Sequence, residues 1–255
     1  MTRYIDRTDR EEFVVSTVLK RVYYPDDDGL PMSDNTWQFN GIVLLHTGLE
    51  ALFADREDVF VAGNHLIYAV KGRPEIRQAP DVYVAFGAPK VPRGSYKVWE
   101  ENGVFPQVVF EVWSPNNRLS AMEDKRDFYE RYGADEYYIF YPEFPAHVDG
   151  WRREGAKLAR VPEMNGFVSP RLRIRFELAA GDVTVCGPDG RPFQPPASVV
   201  AERDAAERVA DEERRRADEE NRRAEESRRR ETEERDRAAR LAAKLRELGV
   251  DPDAI

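Results

Sequence analysis

The amino-acid sequence predicts a mixed α/β domain followed by one long charged helix. Short segments rich in Val, Phe and Tyr, typical of strands, lie among segments whose apolar residues recur every three or four positions, typical of helices. The turn-rich stretch GPDGRPFQPP at 187–196 ends this mixed region. Beyond it Glu, Arg and Ala dominate and Pro is absent until the last few residues, which predicts an uninterrupted helix.

The composition allows a substantial core and excludes several kinds of site. Of the 255 residues 41% are hydrophobic, and no run of about 18 apolar residues exists to span a membrane. A single cysteine, Cys186, excludes an internal disulfide, and three scattered histidines form no zinc-type pattern. The net charge of −9 argues against passive electrostatic binding of nucleic acid. Because the first residues lack the apolar stretch of a secretory signal, we expect a cytoplasmic protein.

The elements of the mixed region follow from local patterns. A first helix is predicted over 37–54, where apolar residues recur at helical spacing, with Ser33, Asp34 and Asn35 as candidate N-caps. Strands are predicted at DVFVAG (58–63), HLIYAV (65–70), DVYVAFG (81–87) and QVVFEVW (107–113). A second helix is predicted over 120–132, and further strands over 136–142, 147–153 and 171–178. The order helix, three strands, helix, strand predicts a small sheet flanked by helices.

The boundary near residue 196 divides the chain into a domain at 1–196 and a helical tail at 197–250. Ala210, Ala217 and Ala224 recur every seven residues and Leu241, Leu245 and Leu248 end the pattern, whereas the companion positions Glu213, Glu220 and Glu234 are charged. Two alternatives remain open, a coiled coil that makes a homo-oligomer and a solvated single helix. Gly249 and Pro252 are expected to end the helix.

Two predicted strands each carry one acid on the face opposite their most apolar side. Glu111 alternates with the apolar face formed by Val108, Phe110 and Val112, and Asp81 lies likewise on the other face from Val82. On the second helix Lys125 shares a stripe with Phe128, Tyr129 and Tyr132, which directs it towards the sheet. The plain alternatives are acids that face water and a lysine whose ammonium reaches solvent past its apolar stem.

If Asp81, Glu111 and Lys125 converge, they form a site that can bind a metal ion and act on a phosphate. Two carboxylates on adjacent strands can hold Mg²⁺, and the metal lowers the pKa of a bound water. A nearby lysine can orient that water or neutralise charge that develops on a phosphate.

The segments that contain these residues resemble the Uma-type restriction endonuclease family, which is placed in the PD-(D/E)XK nuclease superfamily. The resemblance rests on APDVYVAFG (79–87), PQVVFEVWSPNNR (106–118) and DKRDFYERYGADEYYIFYP (124–142), and extends over most of residues 20–180. It implies a restriction-endonuclease-like αβββαβ core with extra strands. It also implies that Asp81, Glu111 and the backbone carbonyl of Val112 bind Mg²⁺ or Mn²⁺, with Lys125 matching the family's helix-borne lysine and Glu50 as a further candidate ligand.

The sequence departs from the family pattern at two positions. The superfamily lysine would stand two residues after the Glu, where this chain has Trp113, and many members have an Asp where this chain has Ala121. From the resemblance and the three candidate residues, the function predicted is a Mg²⁺-dependent endonuclease that hydrolyses DNA phosphodiester bonds. The alternative is a weak or inactive nuclease-fold module that binds nucleic acid or protein and assembles through its tail.

Overall fold

The structure is a computed structural model that describes residues 22–26, 29 and 33–247. The chain divides into two compact units, one up to Phe193 and the other from Gln194. In the part of the chain that is described, no helix is both long and apolar enough to cross a membrane.

The described residues contain three α-helices and eleven strands. The helices are α1 (Thr36–Leu52), α2 (Leu119–Tyr132) and α3 (Pro196–Glu247). The strands are β1 (Val59–Ala62), β2 (Ile67–Tyr68), β3 (Arg77–Gln78), β4 (Val82–Phe86), β5 (Tyr96–Lys97), β6 (Val108–Val112), β7 (Glu136–Tyr141), β8 (His147–Glu154), β9 (Lys157–Arg160), β10 (Arg175–Ala179) and β11 (Asp182–Cys186).

A six-stranded sheet in the order β1-β4-β6-β7-β8-β9 forms the centre of the first unit. Its neighbours are antiparallel except β6 and β7, which run parallel and are joined through α2. Along the chain the core reads α1, β1, β4, β6, α2, β7, so the predicted αβββαβ order is confirmed. Strands β3, β2 and β5 form a separate small sheet, and β10 with β11 forms a hairpin.

Both faces of the central sheet are apolar, and each is covered by one helix. Residues at alternate positions of β4, β6 and β7 pack with the buried stripe of α1 in one cluster, which includes Leu45, Val82, Phe110 and Tyr138. The intervening residues pack with α2 in a second cluster, which includes Tyr83, Val109, Met122, Tyr129 and Tyr137. The face that carries Glu111 is therefore the α2 face, not a solvent face.

Two predicted strands differ from the structure for local reasons. Of 65–70 only Ile67–Tyr68 is extended, and it joins the small sheet rather than the central one. The alternation at 171–178 extends as a strand only from Arg175, because Arg173 has a φ of 62°, in the left-handed region. The turn before it is held by the buried Glu136, whose carboxylate accepts hydrogen bonds from the Ser169 hydroxyl and the Arg171 amide.

The second unit contains α3, 52 residues that rise about 78 Å if the helix is straight. From Glu207 to Lys244 its charged side chains are exposed, and several pair across single turns, as in Glu219–Arg223 at 2.6 Å and Glu226–Arg230 at 2.8 Å. Leu241 is 58% exposed, the side chain of Leu245 is not described, and Leu248, Gly249 and Pro252 lie outside the described residues. The coiled coil stays a prediction.

We expect a chain that ends at Pro196 to unfold cooperatively at nearly the temperature of the full chain. The reason is that the described ion pairs of α3 join residues of that helix to one another, so their loss costs the first unit nothing. Thermal unfolding followed by circular dichroism tests this. A shortened chain without a cooperative transition would show that the tail is part of the domain.

We also expect any self-association of the full chain to disappear in the same shortened protein, because the predicted heptad pattern lies entirely beyond residue 196. Light scattering of the two proteins at equal concentration measures it. An oligomer of unchanged stoichiometry after truncation would contradict the prediction.

Candidate metal centre

The candidate site forms where strands β4 and β6 part. Their pairing ends at Val82 opposite Phe110, so Val112, two residues further on, lacks a partner on β4. Its N–H instead donates to Asp81 Oδ2 at 2.6 Å, and its carbonyl accepts from Gln38 Nε2 at 3.0 Å. Because a buried peptide group left unpaired is costly, these two side chains are held at the strand end.

Glu111 stands beside this point and is fully buried beneath α2. Its Oε2 accepts from Lys125 Nζ at 2.6 Å, and its Oε1 accepts from the Tyr129 hydroxyl at 3.0 Å. Lys125 and Tyr129 are one helical turn apart, which is why both reach the same carboxylate. The Lys125 ammonium also donates to the Ala79 carbonyl at 3.4 Å, two residues before Asp81. The structure thus brings Asp81, Glu111 and Lys125 together.

Burial governs the protonation of the two acids. Burial and, to a smaller extent, the negative charge of Glu111 raise the pKa of Asp81 to about 7 against the opposing effects of Lys125 and the Val112 N–H. Burial also raises the pKa of Glu111, and the Lys125 ammonium acts in the opposite direction. At neutral pH Asp81 therefore exchanges its proton readily, and a cation that binds there would displace it.

The donor atoms suit a hard divalent cation. Asp81 Oδ1 accepts no hydrogen bond from the residues that the structure describes, and the Val112 carbonyl keeps a second lone pair besides the one taken by Gln38. Among these residues no group of three or more His, Cys, Asp or Glu side chains could hold a metal ion. Mg²⁺ or Mn²⁺ bound here would thus rely on the two carboxylates, the Val112 carbonyl and waters, an oxygen-only set that both ions accept.

Glu50, the further candidate ligand, is not brought to the two acids. It is exposed on α1, twelve residues beyond Gln38, which corresponds to about 18 Å along the helix. Trp113 occupies the expected lysine position and packs on Tyr141 with ring centroids 5.4 Å apart. Ala121 is exposed in the first turn of α2, so neither departure is compensated at its own position.

Sequence reasoning missed Gln38, took Asp34 for a candidate N-cap and did not reveal the hydrogen bond of Tyr129 to Glu111. Asn35 is the N-cap of α1, whereas Asp34 Oδ2 accepts from the Ser114 hydroxyl at 2.5 Å and its amide donates to Gln38 Oε1 at 2.7 Å. Gln38 stands on the stripe that continues with the buried Ile42, and a polar residue on a buried stripe was the available signal. Tyr129 lies on the stripe that faces the sheet and is buried in the core as that stripe predicts, and nothing in its spacing revealed the additional bond to Glu111.

We expect Asp81→Asn to stabilise the metal-free protein by about 1–3 kcal/mol more at pH 8 than at pH 5. A folded pKa of about 7 exceeds the ordinary value, so the folded state holds a proton that the unfolded state loses near pH 4. The corresponding stability is fully present below about pH 4 and is lost as pH rises to about 7. Asn can still accept from the Val112 N–H and carries no charge. Thermal unfolding at both pH values in a chelator measures the difference.

The matched control is Glu50→Gln, which removes an exposed acid on α1 and should change stability little at either pH. An Asp81→Asn effect at pH 8 that is no larger than at pH 5 would refute the raised pKa of Asp81.

Comparison with known proteins identifies the family of the chain. The model of the Uma2 family, described as a putative restriction endonuclease, matches residues 19–173. A crystal structure described as a putative nuclease belonging to DUF820 from Anabaena variabilis matches with 12% identity and a TM-score of 0.37, covering 55% of this chain and 74% of that one. No curated protein matches the chain. Since the family model spans more than half of the sequence, including both acids and the lysine, the chain belongs to the Uma2 family.

Proposed function

We propose that the protein is a metal-dependent endonuclease that hydrolyses DNA phosphodiester bonds. Asp81, Glu111 and the Val112 carbonyl would hold Mg²⁺ or Mn²⁺, and Lys125 would assist the reaction. The observation that carries the proposal is the contact of Lys125 Nζ with Glu111 Oε2 at 2.6 Å, beside an acid whose pKa is raised to about 7. Perturbed carboxylates around one lysine are typical of catalytic rather than structural sites. Membership of a family of restriction endonucleases supports the nuclease chemistry.

Each residue has a part that follows from its contacts. A bound divalent ion supplies a water of lowered pKa and stabilises the charge of the phosphate. Asp81 offers its Oδ1, which accepts no hydrogen bond from any described residue, while its Oδ2 stays fixed by the Val112 N–H. Tyr129 fixes Glu111 through Oε1 and so prevents rotation of the carboxylate. The Lys125 ammonium, whose side chain is 25% exposed, can orient the attacking water or neutralise the developing phosphate charge.

The second candidate is a nuclease-fold module of weak or no activity that binds nucleic acid or protein and assembles through α3. Trp113 favours it, since the superfamily position for lysine is filled by a ring packed on Tyr141. The absence of a carboxylate at Ala121 favours it further, because that position lies one turn before Lys125 on the same helix.

We expect Asp81→Asn to abolish binding of Mn²⁺ or Mg²⁺ and cleavage of DNA, because shape is retained while the charge is lost. Lys125→Met should lower cleavage by about 10²–10⁴-fold and retain metal binding, because Lys125 is not among the proposed metal ligands. Calorimetric metal titration and cleavage of plasmid and linear DNA give the two readouts.

Glu50→Gln again serves as the control, with metal affinity and cleavage like those of the wild type. Wild-type protein that binds no metal at millimolar concentration and cuts no DNA would refute the endonuclease and leave the binding module. Equal cleavage by wild type and Lys125→Met would remove Lys125 from the mechanism while leaving the metal centre in place.

A further inference from the structure

Three aromatic side chains form a row across adjacent strands of the central sheet. Trp113 directly follows β6, Tyr141 ends β7 and His147 begins β8. Tyr141 pairs with His147 in the strand register, and the Trp113 amide donates to the Phe140 carbonyl, which continues the ladder past β6. The rings of Trp113 and Tyr141 have centroids 5.4 Å apart, and those of Tyr141 and His147 lie stacked at 4.0 Å. We call these three residues the aromatic row.

The aromatic row lies beside the candidate metal centre. Trp113 is two residues after Glu111, so it lies on the same face of the sheet about 7 Å further along the strand direction. On that face the rings nearer the middle of the strands, such as Tyr137, are buried against Tyr129 of α2. Because α2 begins only at Leu119, the aromatic row is less covered, with Trp113 and Tyr141 partly buried and His147 exposed.

Cross-strand rings ordinarily stabilise a sheet, and some of the contact here does so. A row that served packing alone would gain from burial of its end ring, yet the ring of His147 is exposed. Nucleobases stack on such rings whatever their sequence, and only unpaired bases offer a free face. A chain of net charge −9 is a poor ligand for the phosphates of an intact duplex, whereas stacking depends less on positive charge.

We propose that the ring face of His147 turned away from Tyr141, at the exposed end of the aromatic row, stacks on an unpaired base of a single DNA strand and so presents that strand to the metal centre. The inference rests on the proposed function, whose substrate class it narrows from DNA in general to single-stranded DNA. The backbone of the strand would run from His147 along the row to Trp113, the end closer to Asp81 and Glu111. Duplex DNA, with its bases stacked internally, would be the poorer substrate.

The test measures binding without cleavage, using the full chain in EDTA. The probes are fluorescein-labelled oligothymidylate of about 12 nucleotides, the matching duplex and oligouridylate of the same length. We expect the DNA strand to bind more tightly than the duplex. His147→Ala should weaken binding of the strand by roughly 5- to 100-fold, and His147→Phe, which keeps an aromatic face, should restore most of it. Phe39→Ala removes another exposed ring, 45% exposed on α1, and should leave the affinity unchanged.

Each outcome decides the inference. Equal affinities of wild type and His147→Ala, failure of His147→Phe to restore binding, preference for the duplex, or tighter binding of the uridylate would each overturn it. Thermal unfolding of the variants shows whether a variant that loses binding has also lost its fold. If His147→Ala is unfolded, the affinity of His147→Phe decides whether the ring binds the strand. If the wild type cleaves DNA and the His147 variants do not change strand binding, the stacking is refuted and the endonuclease is retained. If strand binding depends on His147 but the protein cleaves no DNA in Mg²⁺, the endonuclease is refuted and the stacking is retained.

Discussion

The separation of β4 from β6 is the constraint on which the rest of the site depends. Pairing stops at Val82 and Phe110, and the peptide group of Val112 must then be satisfied by side chains. Asp81 lies at the start of β4 and takes the N–H; Gln38 reaches from the first turn of α1 and takes the carbonyl. A carboxylate and a backbone oxygen are thereby held together at the end of β6, next to the buried Glu111. If β4 and β6 were still paired at this point, the N–H and carbonyl of Val112 would bond to β4 rather than to Asp81 and Gln38.

Burial of Glu111 is the second requirement, and α2 meets it. A fully buried carboxylate is tolerated only with hydrogen bonds and a compensating charge. Tyr129 supplies a bond and Lys125 supplies both a bond and a charge, and the stem of Lys125 crosses the same apolar surface that holds α2 on the sheet. Among the described residues Asp81 accepts a hydrogen bond from the Val112 N–H alone, which is consistent with its pKa being raised to about 7. Repulsion between two carboxylates lowers the stability of the fold, and proteins retain such destabilising groups where a functional site needs them.

The sequence was sufficient for the parts of this arrangement that follow from periodicity. Alternation placed Glu111 and Asp81 on one face, and the helical stripe placed Lys125 over it, because both periods are local properties of the backbone. Whether that face meets water or a helix depends on α2 docking across β6 and β7, which is a long-range matter. Gln38 was missed because its partner, Val112, is 74 residues away. The strand predicted over 171–178 failed in its first part, where Arg173 is in the left-handed region and the buried Glu136 of another strand fixes the preceding turn through Ser169, which alternation cannot reveal.

The position of the lysine links these observations to catalysis. A lysine at 113 would be carried by β6 itself, whereas Lys125 is carried by α2 and depends on how that helix packs. Met122 and Tyr129 are the buried residues of α2, and they frame Lys125 on either side in sequence, so the helix cannot shift by a turn without removing the ammonium from Glu111. In the proposed mechanism position 113 needs no lysine, and it carries a ring that continues across the sheet to Tyr141 and His147. Transfer of the charge to the helix is therefore what allows the strand end to carry an aromatic surface.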